Sequence, residues 1–167
     1  DLLDHHENDE ADLGYRFYLE KTLEKIRPWI NQGQKGLDFG CGRTKLMEKI
    51  FNQQNFHLDS YDLYFYPDET IWSNHYDFIL LSEVIEHLRG PAEVMAKLAS
   101  MLRPGGQIFI KTMYRPVEVL EFENWFYKRD LTHIQFLNPE SMSWLAGLLG
   151  MKGPQTLGIP DLQRLWL

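Results

Sequence analysis

The chain has 167 residues, the size of one ordinary domain, and its 44% hydrophobic content excludes an intrinsically disordered protein. Its formal net charge of −7, from 17 Lys+Arg and 24 Asp+Glu, argues against sequence-independent binding to nucleic-acid phosphates and against docking on an anionic membrane. No transmembrane run or signal-peptide pattern is visible, and the single cysteine, Cys41, excludes a disulfide framework and a CxxC zinc site, so a cytoplasmic setting is expected.

The first half of the chain predicts a helix followed by two strands with a glycine turn between them. Residues 1–10 form a loose acidic lead-in, and from residue 15 to residue 30 apolar side chains recur every three or four positions, as on one face of a helix. A short apolar strand at 37–39 then runs into a glycine turn at 40–42 and an amphipathic helix. A second strand is predicted at 56–61.

The second half predicts further strands and helices in alternation. An apolar run at 76–81 is typical of a strand covered on both faces, and helices are predicted at 83–88 and after Gly90-Pro91. A strand at 107–111, a helix capped by Asn138 and one or two strands in the C-terminal tail follow. This alternation predicts a single α/β domain over the whole chain, with a largely parallel sheet and ligands at the carboxyl ends of its strands.

The glycine turn and a later acid predict a site for a nucleoside-containing ligand. Gly40 and Gly42 let the backbone turn sharply and approach a ligand closely, and the next helix offers free N–H groups to an anionic group. Asp62 follows 22 residues after Gly40, the usual offset of a carboxylate that accepts from ribose hydroxyls. Lys45 occupies the place where a dinucleotide site needs a small residue, which disfavours a nucleotide-dependent oxidoreductase. A tight turn without any ligand is the remaining alternative.

As a set, these segments resemble the class I S-adenosylmethionine (SAM) dependent methyltransferases. Residues 37–42 are similar to their first motif and Tyr61-Asp62 to their second. Residues 82–88 and 102–106 resemble two signatures of a subgroup that includes ubiquinone-biosynthesis O-methyltransferases, and 125–136 resembles a C-terminal segment of bacterial members. The resemblance implies a Rossmann-like methyltransferase fold, with a mostly parallel sheet of six or seven strands and helices on both faces.

The resemblance also implies roles for individual residues. Four residues of the first motif would hold the methionine end of SAM: Asp38, Gly40, Cys41 and Gly42. Asp62 would accept from the ribose hydroxyls and Leu63 would flank the adenine. At the end of the apolar strand, Leu81 and Ser82 would border the methionine amino group or the sulfur.

One departure from the family concerns the adenine side of the site. Only 13 residues separate Asp62 from Tyr76, where the family fits a helix and a strand that carries an acid near the adenine amino group. Asp68 and Glu69 are the nearest acids, and the sequence assigns neither. The sheet is therefore predicted to be abbreviated between its second and fourth strands.

A second group of residues suggests a divalent metal. Glu83, Glu86 and His87 are spaced i, i+3, i+4, so on a helix they share one face, and with His133 they offer ligands for Mg²⁺, Mn²⁺ or Zn²⁺. The pattern resembles the metal site of small-RNA 2′-O-methyltransferases and of some ubiquinone-pathway enzymes. In the alternative, no metal is bound. Glu83 and Glu86 then lie at the positive N-terminal end of a short helix, and His87 hydrogen-bonds a backbone carbonyl. His133 or His87 would act as the catalytic base.

The resulting prediction is an enzyme that transfers the methyl group of SAM to an oxygen or nitrogen of a small-molecule acceptor. Two alternatives remain open: a metal-assisted O-methyltransferase acting on vicinal hydroxyls of a sugar or RNA end, and a non-catalytic interaction module with the same fold. The acidic balance of the chain counts against RNA. The sequence does not name the acceptor.

Overall fold

A six-stranded sheet forms the centre of the computed structural model, which describes residues 13–167; the predicted lead-in at 1–10 lies outside the described residues. The strands, in chain order, are β1 (Lys35–Phe39), β2 (His57–Tyr61), β3 (Tyr76–Ser82), β4 (Leu102–Lys111), β5 (Lys152–Thr156) and β6 (Leu162–Trp166). Their spatial order is β2-β1-β3-β4-β6-β5. The first four are parallel, and β6 is antiparallel to β4 and β5, which confirms the mostly parallel sheet.

Five α-helices accompany the sheet within the described residues: α1 (Leu13–Ile26), α2 (Leu46–Gln53), α3 (Pro91–Ser100), α4 (Val119–Asn124) and α5 (Pro139–Leu148). Short 3-10 helices lie at Arg27–Trp29, Glu69–Ser73, Ile85–His87 and Phe126–Arg129. The predicted cap of α5 is present, because the Asn138 side chain accepts from the Ser141 N–H at 2.8 Å and Ser141 Oγ accepts from the Asn138 N–H. Within residues 13–167, no helix has the length and apolar content needed to cross a bilayer.

Helices cover both faces of the sheet, as the alternation along β3 shows. Phe78 and Leu80 belong to one buried cluster with apolar side chains of α1 and α2. Ile79 and Leu81 belong to a second cluster with side chains of α3 and α5. Successive side chains of a strand point to opposite faces, so a continuous apolar run is what a strand covered on both sides requires.

The connection from β2 to β3 is short, as predicted, and β2 lies at the edge of the sheet. It contains an isolated bridge between Asp62 and Tyr66 and the 3-10 helix Glu69–Ser73. Trp72 from that helix packs edge-on against the rings of Phe39 and Tyr61, at 5.9 and 5.5 Å between centroids. An aromatic cluster therefore fills the place where the family resemblance implies another helix and strand.

The predicted helix at 83–88 is wrong. Glu83 has a φ of +55° and its N–H donates to the Lys111 carbonyl at 2.9 Å, which continues the pairing of β3 with β4 beyond the strand ends. Only Ile85–His87 then forms a single 3-10 turn. The long-range pairing overrides the local helical spacing, so Glu83, Glu86 and His87 do not share a helix face.

Candidate active site

The glycine turn connects β1 to α2 and is held against the end of β2. Gly40 and Gly42 have φ values of +83° and +66°, which favour glycine. The N–H groups of Gly40 and Cys41 both donate to the Tyr61 carbonyl, at 2.8 and 3.0 Å. A Cβ on Gly40 would lie 2.4 Å from Val84 Cγ2, whereas one on Gly42 would meet nothing within 4 Å. The fold itself therefore requires glycine at position 40, and the surface beside Gly42 remains open.

A small open cleft lies between this turn and α1. Four of the predicted cofactor residues line it: Asp38, Gly40, Cys41 and Ser82. Helices α1 and α2 supply the rest of its wall: Tyr15, Leu19, Leu46 and Met47. The structure thus brings three of the four predicted methionine-end residues, all except Gly42, to one cleft at the carboxyl ends of β1 and β3.

Asp62 links the end of β2 to the glycine turn. One carboxylate oxygen accepts from the Gly42 N–H at 3.0 Å, and the other accepts from the N–H groups of Tyr64 and Phe65 at 2.9 and 3.1 Å. An ionised carboxylate offers about four lone-pair sites, so capacity for a ligand hydroxyl remains. Asp62 holds the turn in shape and also stands where a ribose acceptor was predicted.

One acidic side chain, that of Asp38, lines the cleft. Asp38 is buried, and burial, together with the nearby carboxylates of Glu48 and Asp62, raises its pKa from 3.8 to about 7. Clustered carboxylates disfavour one another's charged form and would be relieved by a bound cation. The cleft is therefore suited to an ammonium or sulfonium group and is unfavourable for a pyrophosphate, which also disfavours the dinucleotide alternative.

The other four predicted cofactor residues are not part of the cleft lining: Gly42, Asp62, Leu63 and Leu81. Leu63 is exposed on the turn after Asp62, beside the open edge of β2. The Leu81 side chain is buried in the core that β3 shares with α3 and α5. Ser82, at the end of β3, is the residue of this strand that lines the cleft.

A second cluster brings together three of the four residues that were predicted to bind a metal. Ligand-capable atoms of Glu86, His87 and His133 all lie within 4.8 Å of one another, within the part of the chain that the structure describes. The two imidazole rings are 4.7 Å apart between centroids. The backbone joins the two segments, because the N–H groups of Ile134 and Gln135 donate to the Glu86 carbonyl at 3.0 and 3.3 Å.

Hydrogen bonds set the tautomers of the two histidines. His87 Nδ1 lies 3.0 Å from the Thr132 carbonyl, and His133 Nδ1 lies 2.7 Å from the Tyr127 carbonyl. A carbonyl only accepts, so each Nδ1 carries a hydrogen and the lone pair of the neutral ring lies on Nε2. Asp130 stands 3.7 Å from His133 Nε2 and adds negative charge beside the cluster. Both rings are oriented as metal ligands or proton acceptors require.

Glu86 is fully buried and incompletely satisfied. Its Oε1 contacts the Tyr127 hydroxyl, and its Oε2 has no hydrogen-bond partner among residues 13–167. Burial and the nearby Glu83 carboxylate raise the pKa of Glu86, which favours its protonated form. An orphaned buried carboxyl oxygen is costly, and a cation at this position would satisfy it.

Glu83 does not join this cluster, because tyrosines occupy both of its oxygens. Oε1 accepts from the Tyr18 hydroxyl at 2.7 Å and Oε2 accepts from the Tyr127 hydroxyl at 2.6 Å. Burial and the adjacent carboxylates raise the pKa of both tyrosines, which keeps their hydroxyls as donors. Sequence reasoning did not predict that either tyrosine bonds Glu83, since contacts across 65 and 44 positions leave no local spacing signal.

Comparisons with known proteins identify the family. A family model described as a methyltransferase domain matches residues 11–152. Three relatives are ubiquinone biosynthesis O-methyltransferases. That of Aromatoleum aromaticum is 25% identical over 83% of this chain and 76% of its own length. Those of Caulobacter vibrioides and Aeromonas salmonicida are 32% and 40% identical over 54% and 57% of this chain, which spans 40% and 54% of their lengths.

Solved structures show the same fold at low sequence identity. A SAM dependent methyltransferase from Archaeoglobus fulgidus superposes with a TM-score of 0.62 at 20% identity, over 82% of this chain and 69% of its own. Magnesium protoporphyrin IX methyltransferase from Synechocystis PCC 6803, with bound SAH, gives a TM-score of 0.59 at 12% identity, over 92% and 83%. The chain therefore belongs to the methyltransferase domain family and has the Rossmann-like fold of the class I SAM-dependent methyltransferases.

Proposed function

We propose that this chain binds SAM in the cleft beside the glycine turn and transfers its methyl group to an oxygen or nitrogen of a small-molecule acceptor. The observation that carries the donor assignment is that the buried Asp38 lines this cleft together with Gly40, Cys41 and Ser82 and has the carboxylates of Glu48 and Asp62 nearby. SAM carries an ammonium and a sulfonium, which these carboxylates would stabilise. The O-methyltransferase relatives favour oxygen as the acceptor atom.

The donor residues have complementary roles in this proposal. Asp38 faces the cationic methionine end, and the open surface at Gly42 lets the backbone approach it closely. Asp62 accepts from the ribose with its remaining capacity. Leu63 flanks the adenine on the open side of the turn, and Ser82 borders the sulfur at the end of β3.

Methyl transfer itself requires positioning and one proton acceptor. The methyl carbon leaves the sulfonium as its new bond to the acceptor oxygen forms, the sulfur becomes a neutral thioether, and the hydroxyl proton passes to a base. In-line placement supplies most of the rate gain, because the methyl group is already activated. With each Nδ1 bonded to a carbonyl, His133 and His87 keep the Nε2 lone pair as a proton acceptor, so either ring is a candidate catalytic base.

The surroundings of the histidines favour an acceptor with an apolar part. Phe126, Leu131 and Ile134 lie in the segment that carries His133, and all three are exposed. The polar end of the acceptor would face the histidines, and its apolar part would cover these side chains. A small molecule with a hydroxyl on an apolar framework fits this arrangement, and the cytoplasmic setting expected from the sequence stays a prediction.

A metal-assisted variant of this chemistry is the second candidate. The orphaned Oε2 of Glu86 and the two oriented imidazoles fit a divalent cation held by Glu86, His87 and His133. Three ligands on one side leave positions for two neighbouring hydroxyls of an acceptor. The bound cation would lower the pKa of one hydroxyl. Because a cation binds the ionised form of Glu86, whose pKa is raised in the fold, cation binding would strengthen as pH rises.

Isothermal titration with S-adenosylhomocysteine (SAH) tests the donor site. Asp62→Asn should weaken binding strongly, because the amide cannot accept from the ribose and also bond the Gly42 and Tyr64 N–H groups in the same way. Asp77→Asn is the matched control, since Asp77 bonds Lys35 and Arg103 near the amino end of β3. Folded wild-type protein that binds no SAH would refute the donor assignment. Binding without transfer to any hydroxylated acceptor would indicate a non-catalytic module.

Titration with Mn²⁺ tests the metal candidate. Glu86→Gln and His133→Ala should each abolish binding, because each removes a ligand atom from the cluster. His57→Ala is the matched control, since His57 is exposed at the start of β2. Equal Mn²⁺ affinity in all of these variants would exclude the cluster as the site.

A further inference from the structure

The Glu83 carboxylate connects the donor cleft to the cluster of Glu86, His87 and His133. Its two oxygens accept from the hydroxyls of Tyr18 and Tyr127, which approach from opposite sides. Tyr18 belongs to α1, beside the donor cleft, and Tyr127 belongs to the segment that carries His133. No step of the donor site or of the histidine cluster described above uses this bridge.

On one side, Tyr18 connects Glu83 to the wall of the donor cleft. Tyr15 and Leu19 of the same helix line the cleft. The Tyr18 ring stacks on Tyr15 at 6.2 Å between centroids, and the Lys111 ammonium lies 4.2 Å from the Tyr18 ring. A ligand that presses on Tyr15 and Leu19 therefore also restrains Tyr18.

On the other side, Tyr127 connects Glu83 to the histidine cluster. Its hydroxyl also contacts Glu86, and its carbonyl accepts from His133 Nδ1 at 2.7 Å. Its ring lies 4.0 Å from the His133 ring between centroids. The position of Tyr127 therefore sets the orientation of the His133 ring and the environment of Glu86.

The backbone of Glu83 is suited to transmit such a restraint. Its N–H donates to the Lys111 carbonyl at 2.9 Å, so the residue is fixed to the end of β4. Its φ of +55° is uncommon for a residue with a side chain and persists only where the surrounding structure requires it. A fixed backbone with both carboxylate oxygens engaged allows little independent movement of either tyrosine.

We propose that Glu83 is a positioning residue that couples occupancy of the donor cleft to the order of the histidine cluster. A ligand in the cleft restrains α1, Tyr18 passes the restraint to Glu83, and Tyr127 passes it to His133. Donor binding orders the histidine cluster. The acceptor then binds a cluster that is already ordered and does not bear the free-energy cost of ordering it, so donor binding prepares the acceptor site. The inference rests on the proposed function, because it needs a donor ligand in the cleft.

Amide hydrogen exchange with and without SAH tests the coupling directly. The amides of Ile134 and Gln135, which donate to the Glu86 carbonyl, report on the cluster. We expect saturating SAH to slow their exchange at least about fivefold, the lower end of typical coupling between sites. Tyr18→Phe keeps the ring and removes the hydroxyl, so SAH should still protect the Gly40 and Cys41 amides while the effect at 134–135 disappears.

A second variant and a control separate coupling from a general loss of structure. Tyr127→Phe breaks the bridge from the far side without touching α1, and it decides the question if Tyr18→Phe fails to fold or to bind SAH. Tyr76→Phe is the control, because its hydroxyl bonds Asp59 away from both sites, and it should keep the wild-type response.

Three outcomes would overturn the coupling. Wild-type protein that binds SAH with unchanged exchange at 134–135 refutes the coupling and leaves the donor site intact. Full protection of these amides in both Tyr18→Phe and Tyr127→Phe shows that Glu83 is not the route. Absence of SAH binding to folded wild-type protein refutes the proposed function, and the coupling with it.

Discussion

Burial of Asp38 should make the ligand-free fold less stable as pH rises, and Asp38→Asn tests this. Burial, followed by the charges of Glu48 and Asp62, raises the pKa of Asp38 from 3.8 to about 7 in the folded chain. The folded state therefore holds the proton more tightly than the unfolded state. The stability that the protonated form contributes is complete below about pH 4 and is lost as pH rises through about 7.

The size of the effect follows from the two pKa values. At about 1.4 kcal/mol per pKa unit, the interval from 3.8 to about 7 corresponds to about 4 kcal/mol, nearly all of which is lost by pH 8 and less than half by pH 5. Asparagine keeps the shape of Asp38 and carries no charge. The free energy of unfolding of Asp38→Asn minus that of the wild type should therefore be about 2 to 3 kcal/mol higher at pH 8 than at pH 5.

Urea denaturation followed by tryptophan fluorescence, without ligand, gives the required free energies of unfolding at both pH values. Asp77→Asn serves as a control for the loss of an aspartate at the other end of the sheet. A difference between Asp38→Asn and wild type that is the same at pH 5 and pH 8 would refute the reasoning. The same variant should bind SAH more weakly, because the cationic end of the ligand loses its carboxylate.

Two further predictions concern the glycine turn and the hydrogen bonds of Gln135. Gly40→Ala should cost about 2 to 4 kcal/mol in urea titrations, because strain at positive φ adds to a contact of 2.4 Å with Val84. Gly42→Ala has open space and should cost about 1 to 2 kcal/mol, so equal losses would contradict the packing argument. Gln135→Ala should cost about 1 to 3 kcal/mol, because its amide donates to two carbonyls of the 85–88 turn. A thermal midpoint equal to that of the wild type would contradict this.

The sheet and the donor side were predictable because their signals are local. The apolar run of β3 indicates burial on both faces, and the glycines at 40 and 42 indicate a turn wherever the rest of the chain lies. The short interval between Asp62 and Tyr76 likewise predicted that the sheet is abbreviated between its second and fourth strands. Such signals depend on neighbouring residues, so they survive without knowledge of the tertiary structure.

The turn after β3 shows where local reasoning failed. The spacing of Glu83, Glu86 and His87 is helical, yet Glu83 continues the pairing of β3 with β4 and adopts a positive φ. The Glu83 N–H donates to the carbonyl of Lys111, which is distant in sequence, and this hydrogen bond prevents the predicted helix. Glu83 consequently faces Tyr18 and Tyr127, and the three-residue cluster forms without it.

The α/β alternation, the glycine turn and the acid after β2 follow from the sequence, because periodicity, glycine positions and spacing are properties of neighbouring residues. The groups that face each other at the acceptor side are set by the folded arrangement: the orphaned oxygen of Glu86, the tautomers of two histidines and the bridge through Glu83. The physical reason is that the contacts of Glu83 with both tyrosines and of His87 with Thr132 join residues more than 40 positions apart, where burial and hydrogen-bond geometry, not sequence spacing, select the partner.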